Sequence, residues 1–132
     1  MANVLIVDRD DVVRAILMEL LSESYDCNAA GTAEAALQYL EIQNYDAVLT
    51  DISMLGLTGV ELLKRIQLKD LRPRVILISG NGDEDAESLR KLGAFAYLHK
   101  PFSLEEIEHI IERAVESNRS ACEMRQQKAP TF

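Results

Sequence analysis

A doubly wound α/β fold, with five parallel strands alternating with five helices, is what this sequence predicts, and three observations lead to it. Val4-Leu5-Ile6-Val7, Ala47-Val48-Leu49 and Val75-Ile76-Leu77-Ile78 are unbroken apolar runs. Such runs mark strands covered on both faces rather than strands with one wet side. Between them, apolar residues recur at the i, i+3, i+4, i+7 spacing of a helix face. The runs also end in polar residues: Asp8, Asp51 and Ser79, while Ala96-Tyr97-Leu98 leads into Lys100-Pro101. Chemistry in an open parallel sheet sits outside the carboxyl ends of its strands, so these residues nominate one edge.

The elements follow in chain order. After the first strand, Val13, Ile16, Leu17, Leu20 and Leu21 form a helix face, and Asp10 or Asp11 is its natural N-cap. Cys27 to Ala30 is a weaker second strand, required by the alternation. Gly31-Thr32 opens a helix with Ala33, Ala36, Leu37 and Leu40 inward. The segment Tyr45 to Asp51 carries the central strand, whose terminal carboxylate suits a metal ligand or a nucleophile. Thr58-Gly59-Val60-Glu61 fits a capping box and starts a third helix through Leu62, Leu63 and Ile66. Leu71-Arg72-Pro73 breaks it before the fourth strand. Ser79-Gly80-Asn81-Gly82 is a loop, Asp83 caps a fourth helix with Ala86, Leu89 and Leu92, and Gly93 ends it. Ser103-Leu104-Glu105-Glu106 is a second capping box, opening a helix with Ile107, Ile110, Ile111 and Ala114 inward.

Composition narrows the function. A chain of 132 residues makes one domain. A net charge of -8, with no basic stripe, argues against nucleic-acid binding. Cys27 and Cys122 have neither metal-ligand spacing nor the numbers for a disulfide framework, which fits a reducing cytoplasm. No apolar run reaches membrane-spanning length, and the chain opens on a strand rather than a signal peptide.

Asp8, Asp51, Ser79 and Lys100-Pro101-Phe102, each at a strand end and in this order, closely resemble a response regulator receiver domain of two-component signalling, a flavodoxin-like fold. The resemblance covers about residues 3 to 117. Thr58-Gly59 matches the family's glycine position, and Tyr97 stands three before Lys100, where the family commonly carries an aromatic switch. This resemblance implies that Asp51 is a phosphoacceptor, served by a histidine kinase or phosphotransfer protein. It implies a magnesium ion held by Asp8, Asp51 and the backbone carbonyl of Ser53. It further implies that Lys100 and Ser79 hold phosphoryl oxygens, across a cis Lys100-Pro101 peptide. Movement of Ser79 would let Tyr97 turn inward and change the partner surface made by the fourth helix, fifth strand and fifth helix. A receiver of this kind catalyses only its own phosphoryl transfer and dephosphorylation.

Two positions depart from the family. Leu55 stands where most members have proline. Arg9 stands where the family carries a second acidic residue, the more direct metal ligand. Asp10, one residue on, either reaches the metal or caps the helix. Arg9 is expected to weaken magnesium binding and to pair with Asp51 or Asp8. It also sustains an alternative, a receiver-like interaction module that works without phosphorylation. A more distant alternative is a phosphatase of the haloacid-dehalogenase type using Asp8, suggested by Asp8-Arg9-Asp10 and Ile78-Ser79-Gly80. That enzyme needs an acidic pair at a strand end after its lysine, and Glu105 and Glu106 fall inside a helix instead. The expected division is a receiver over 1–117 and a tail over 118–132 that prolongs the last helix or frays. Nothing in the tail resembles an output domain, so the expectation is a single-domain receiver or one cut from a longer chain.

Overall fold

The computed structural model describes residues 1–80 and 86–127. Within it, β1 (Asn3–Val7), β2 (Asp26–Ala30), β3 (Ala47–Asp51), β4 (Arg74–Ser79) and β5 (Ala96–His99) form one parallel sheet in the order β2-β1-β3-β4-β5. The helices are α1 (Asp11–Leu21), α2 (Ala33–Ile42), α3 (Gly59–Leu68), α4 (Ala86–Lys91) and α5 (Leu104–Gln127). Winding reverses at β1, which leaves a crevice between β1 and β3 at their carboxyl ends.

Alternation along each strand sends side chains to two separate cores. Leu5, Val48, Val75 and Leu77 face α2 and α3 with Leu62, Leu63 and Ile66. Val4, Ile6, Leu49, Ile76 and Ile78 face α1 and α5 with Leu17, Leu21, Ile107 and Ile111. A strand covered on both faces has no polar side to show, which is why the central runs read as unbroken apolar sequence. Ile16 departs from its expected inward place and is 47% exposed, since α1 meets the core through Leu17 and Leu21 with Val13, Met18 and Leu20 beside them. Leu92 lies one residue beyond α4 and is 38% exposed. The expected loop residues Asn81 and Gly82 and the expected cap Asp83 lie outside the described residues, as do residues 128–132 of the tail.

The ends of the helices obey local chemistry. Asp10 caps α1, its carboxylate accepting from the backbone N–H of Val12 and Val13. Thr58 and Glu61 form the full reciprocal capping box at α3. Ser103 Oγ accepts from the Glu106 N–H at α5. At the amino-terminal edge of the sheet, Asp46 accepts from the Asn3 N–H at 3.1 Å and from Asn118 Nδ2 at 3.2 Å. That contact buries Asn118 and fixes α5 against the start of β3.

Gly59 answers to a close approach. A Cβ there would stand 2.4 Å from the Asp51 carbonyl oxygen and 2.9 Å from Ile52 Cα, both backbone atoms that cannot step aside. Its N–H donates to the Ile52 carbonyl, pinning α3 beneath the end of β3. Gly59→Ala is therefore expected to lower unfolding stability by about 2 kcal/mol in urea titration, the cost of overpacking a rigid contact.

Candidate functional site

Strand register assembles the site. Val7 pairs with Thr50, so Asp8 and Asp51, each one step further, meet at the same level. Asp51 is opposite Ile78, and Ser79 follows. Ser79 is opposite His99, and the Lys100 N–H donates to the Ser79 carbonyl at 2.8 Å. Four strand ends thus deliver two carboxylates, a hydroxyl and an ammonium to one rim. The Lys100-Pro101 peptide is cis, as the resemblance implied.

Lys100 Nζ lies 3.2 Å from Asp51 Oδ2 and 3.7 Å from Asp8 Oδ2. Asp8, Asp51 and Ser79 are 2%, 5% and 2% exposed. Asp51 Oδ1 accepts from the Ser53 N–H at 3.2 Å, turning the following loop back over the carboxylate. Asp8 Oδ1 accepts from the Asp10 N–H at 2.9 Å, while Asp8 Oδ2 has no hydrogen-bond partner among the described residues. Burial pushes the Asp8 carboxyl above its ordinary value of 3.8, helped by the charges of Asp51 and Asp10 and opposed by the Asp10 N–H and Lys100.

The residues around this pair differ from expectation in two respects. Arg9 is exposed and makes no ion pair with Asp8 or Asp51; Lys100 takes that role instead. Asp10 spends its carboxylate on the α1 cap. Among the described residues, no group of three acidic, histidine or cysteine side chains is arranged to hold a metal. Tyr97 is half-buried against the α2–α3 core, and its hydroxyl is buried without a hydrogen-bond partner among the described residues.

Two supporting residues escaped the sequence reading. Arg14 Nη1 donates to the Asp8 carbonyl oxygen at 2.5 Å, and its other terminal nitrogen pairs with Asp11. Its three-residue spacing from Asp11 hinted at the ion pair but not at the link to β1. Glu34 accepts from the Leu57 N–H at 3.4 Å, beside Gly56 at φ +78° in the loop after Asp51. That contact joins residues far apart in sequence and leaves no local signal.

The sequence model of the response regulator receiver domain family matches residues 4–112. The chain belongs to this family. Sporulation initiation phosphotransferase F of Bacillus subtilis is 32% identical, over 84% of this chain and 91% of that protein. The transcriptional regulator NtrC of Azospirillum brasilense is 33% identical over 89% of this chain, but the chain spans only 25% of that relative's length. Among solved structures, the receiver domain of the Francisella response regulator 1452 superimposes with a TM-score of 0.82 at 27% identity, covering 89% of this chain and 98% of that one. The signal receiver domain of a Luxo repressor protein from Vibrio parahaemolyticus gives a TM-score of 0.88 at 20% identity, over 93% and 96%, and shares the fold. The protein is accordingly a receiver module of two-component signalling, the class that accepts phosphoryl groups, and neither the phosphorylation-independent nor the phosphatase reading is favoured. No helix among the described residues of this receiver is long and apolar enough to cross a membrane.

Asp8 pays for its burial in stability. A carboxyl whose value is raised on folding favours the fold below its unfolded value of 3.8, and that contribution is lost as pH rises through the folded value. Asp8→Asn keeps the Oδ1 acceptor and removes the buried charge. It is expected to raise stability at pH 7 by about 1 kcal/mol in urea titration.

Proposed function

We propose that Asp51 is the phosphoacceptor of this receiver and that its donor is a phosphohistidine on a kinase or phosphotransfer protein. The observation that carries the assignment is Lys100 Nζ at 3.2 Å from the Asp51 carboxylate, at the end of the central strand. An Asp51 oxygen attacks phosphorus, the phosphorus–nitrogen bond breaks, and the electron pair stays on the donor imidazole. Lys100 offsets charge on the phosphoryl oxygens, and the Ser79 hydroxyl donates to one of them. Asp8, Asp51 and the Ser53 carbonyl are the groups that would hold magnesium. Two buried carboxylates, one with an oxygen that accepts no hydrogen bond among the described residues, suit an ion that keeps several waters and takes one or two carboxylates from protein. Bound there, the ion neutralises phosphoryl oxygens. Beyond this self-modification the chain has no enzymatic role.

The output follows from Tyr97. Its half-buried ring carries a buried hydroxyl with no hydrogen-bond partner among the described residues, a costly arrangement with which an outward position competes. Engagement of Ser79 by the phosphoryl group biases that choice and alters the surface of α4, β5 and α5 offered to a protein target. The acidic chain, with its net charge of -8, works in the cytoplasm through protein partners rather than nucleic acid.

The experiment is phosphorylation by a small phosphodonor with magnesium, read by intact mass. Wild type gains one phosphate and Asp51→Asn gains none while remaining folded; an unchanged mass increment in Asp51→Asn removes the assignment. Magnesium affinity tests the neighbourhood. Replacing the Arg9 cation by a carboxylate adds a ligand and reverses a charge beside the pocket. Arg9→Asp is expected to bind magnesium at least tenfold more tightly by calorimetry. Equal affinity would instead make Asp10 the ligand, and Asp10→Ala would then abolish binding.

A further inference from the structure

We propose that Arg9 is a second phosphoryl-binding cation of this site, closing on the phosphoryl oxygens that Lys100 does not reach. The inference rests on Asp51 as acceptor. In the turn between β1 and α1, the Asp10 N–H bonds back to Asp8 Oδ1 and folds the backbone over the buried carboxylate. Arg9 occupies the middle of that turn, one residue from Asp8 and one from the α1 cap. Its backbone therefore stands at the rim of the pocket, one residue from the buried carboxylate.

Its state differs from that of its cationic neighbours. Arg14 is committed to the Asp8 carbonyl and to Asp11, and Lys100 to both pocket carboxylates. Arg9 is exposed and makes no ion pair among the described residues. A guanidinium on a long flexible stem offers a planar fork of donors that matches phosphate oxygens in pairs.

Charge supplies the reason for closure. At rest, two carboxylates face one ammonium, an excess of one negative charge. A phosphoryl group on Asp51 replaces a single charge by about two, and with Asp8 the excess grows accordingly. Arg9 meets that demand from the chain itself. The same cation repels a divalent ion from the empty pocket. Its removal therefore has two opposite effects, a combination that damage to the turn alone does not produce.

The full chain, Arg9→Ala, Arg9→Lys and Asp51→Asn are each treated with acetyl phosphate, in EDTA and over a magnesium series, and followed by intact mass. Magnesium affinity is measured separately by calorimetry. Wild type is expected to gain phosphate in EDTA, with Arg9→Ala about tenfold slower there and recovering as magnesium rises. Arg9→Lys, which keeps the charge without the fork, falls between them. Arg9→Ala is also expected to bind magnesium several-fold more tightly than wild type. Equal labelling rates for wild type and Arg9→Ala at every magnesium concentration, no labelling of wild type in EDTA, or unchanged magnesium affinity would each overturn the role of Arg9, while Asp51→Asn staying unlabelled keeps the acceptor. Labelling of Asp51→Asn, or no labelling of wild type under any condition, overturns the acceptor and the Arg9 proposal with it.

Discussion

Everything at the working edge depends on one ammonium standing between two buried carboxylates. Asp8 and Asp51 lie where water is nearly excluded, and like charges at such a place repel strongly. Lys100 holds them together from 3.2 and 3.7 Å. The lysine can do so because its backbone is part of the sheet: its N–H continues the β4–β5 ladder through the Ser79 carbonyl. The electrostatics of the site are thus an extension of strand pairing, and a change in either disturbs the other.

Reactivity and stability pull apart at Asp8. A buried oxygen that accepts no hydrogen bond among the described residues, and a titration raised by burial, make it a poor structural residue. The rest of the domain carries that cost. Two apolar layers on either side of β1, β3 and β4, with helix caps at Asp10 and Thr58, supply rigidity without using the rim. The backbone under Asp51 is equally committed, since α3 starts so close beneath it that Gly59 has no room for a side chain.

The fold was legible because buried parallel strands leave unbroken apolar runs and the helices leave their own period. The four rim residues were legible because each follows such a run. What the sequence did not show were directions and distant contacts. Asp10 offered two readings, ligand or cap, and only the backbone at α1 distinguishes them, since its carboxylate meets Val12 and Val13. Arg9 was expected to pair with a pocket carboxylate, but Lys100 arrives from β5 already positioned by the sheet and occupies both. Glu34 and Leu57 touch across elements with no shared periodicity, and Ile16 sits on the helical stripe yet outside the buried contact. Local pattern reports which face is apolar, not how much of it the neighbours can cover.

Asp46, at the opposite edge, has a consequence for how such a domain joins a longer polypeptide. One carboxylate receives the N–H of Asn3 and the amide of Asn118, so the first strand and the last helix are clasped at a single point. The start of the first strand and the middle of α5 therefore lie close together. A module closed in this way can be spliced between other segments, or have its ends joined and new ones opened elsewhere, with little distortion of the sheet.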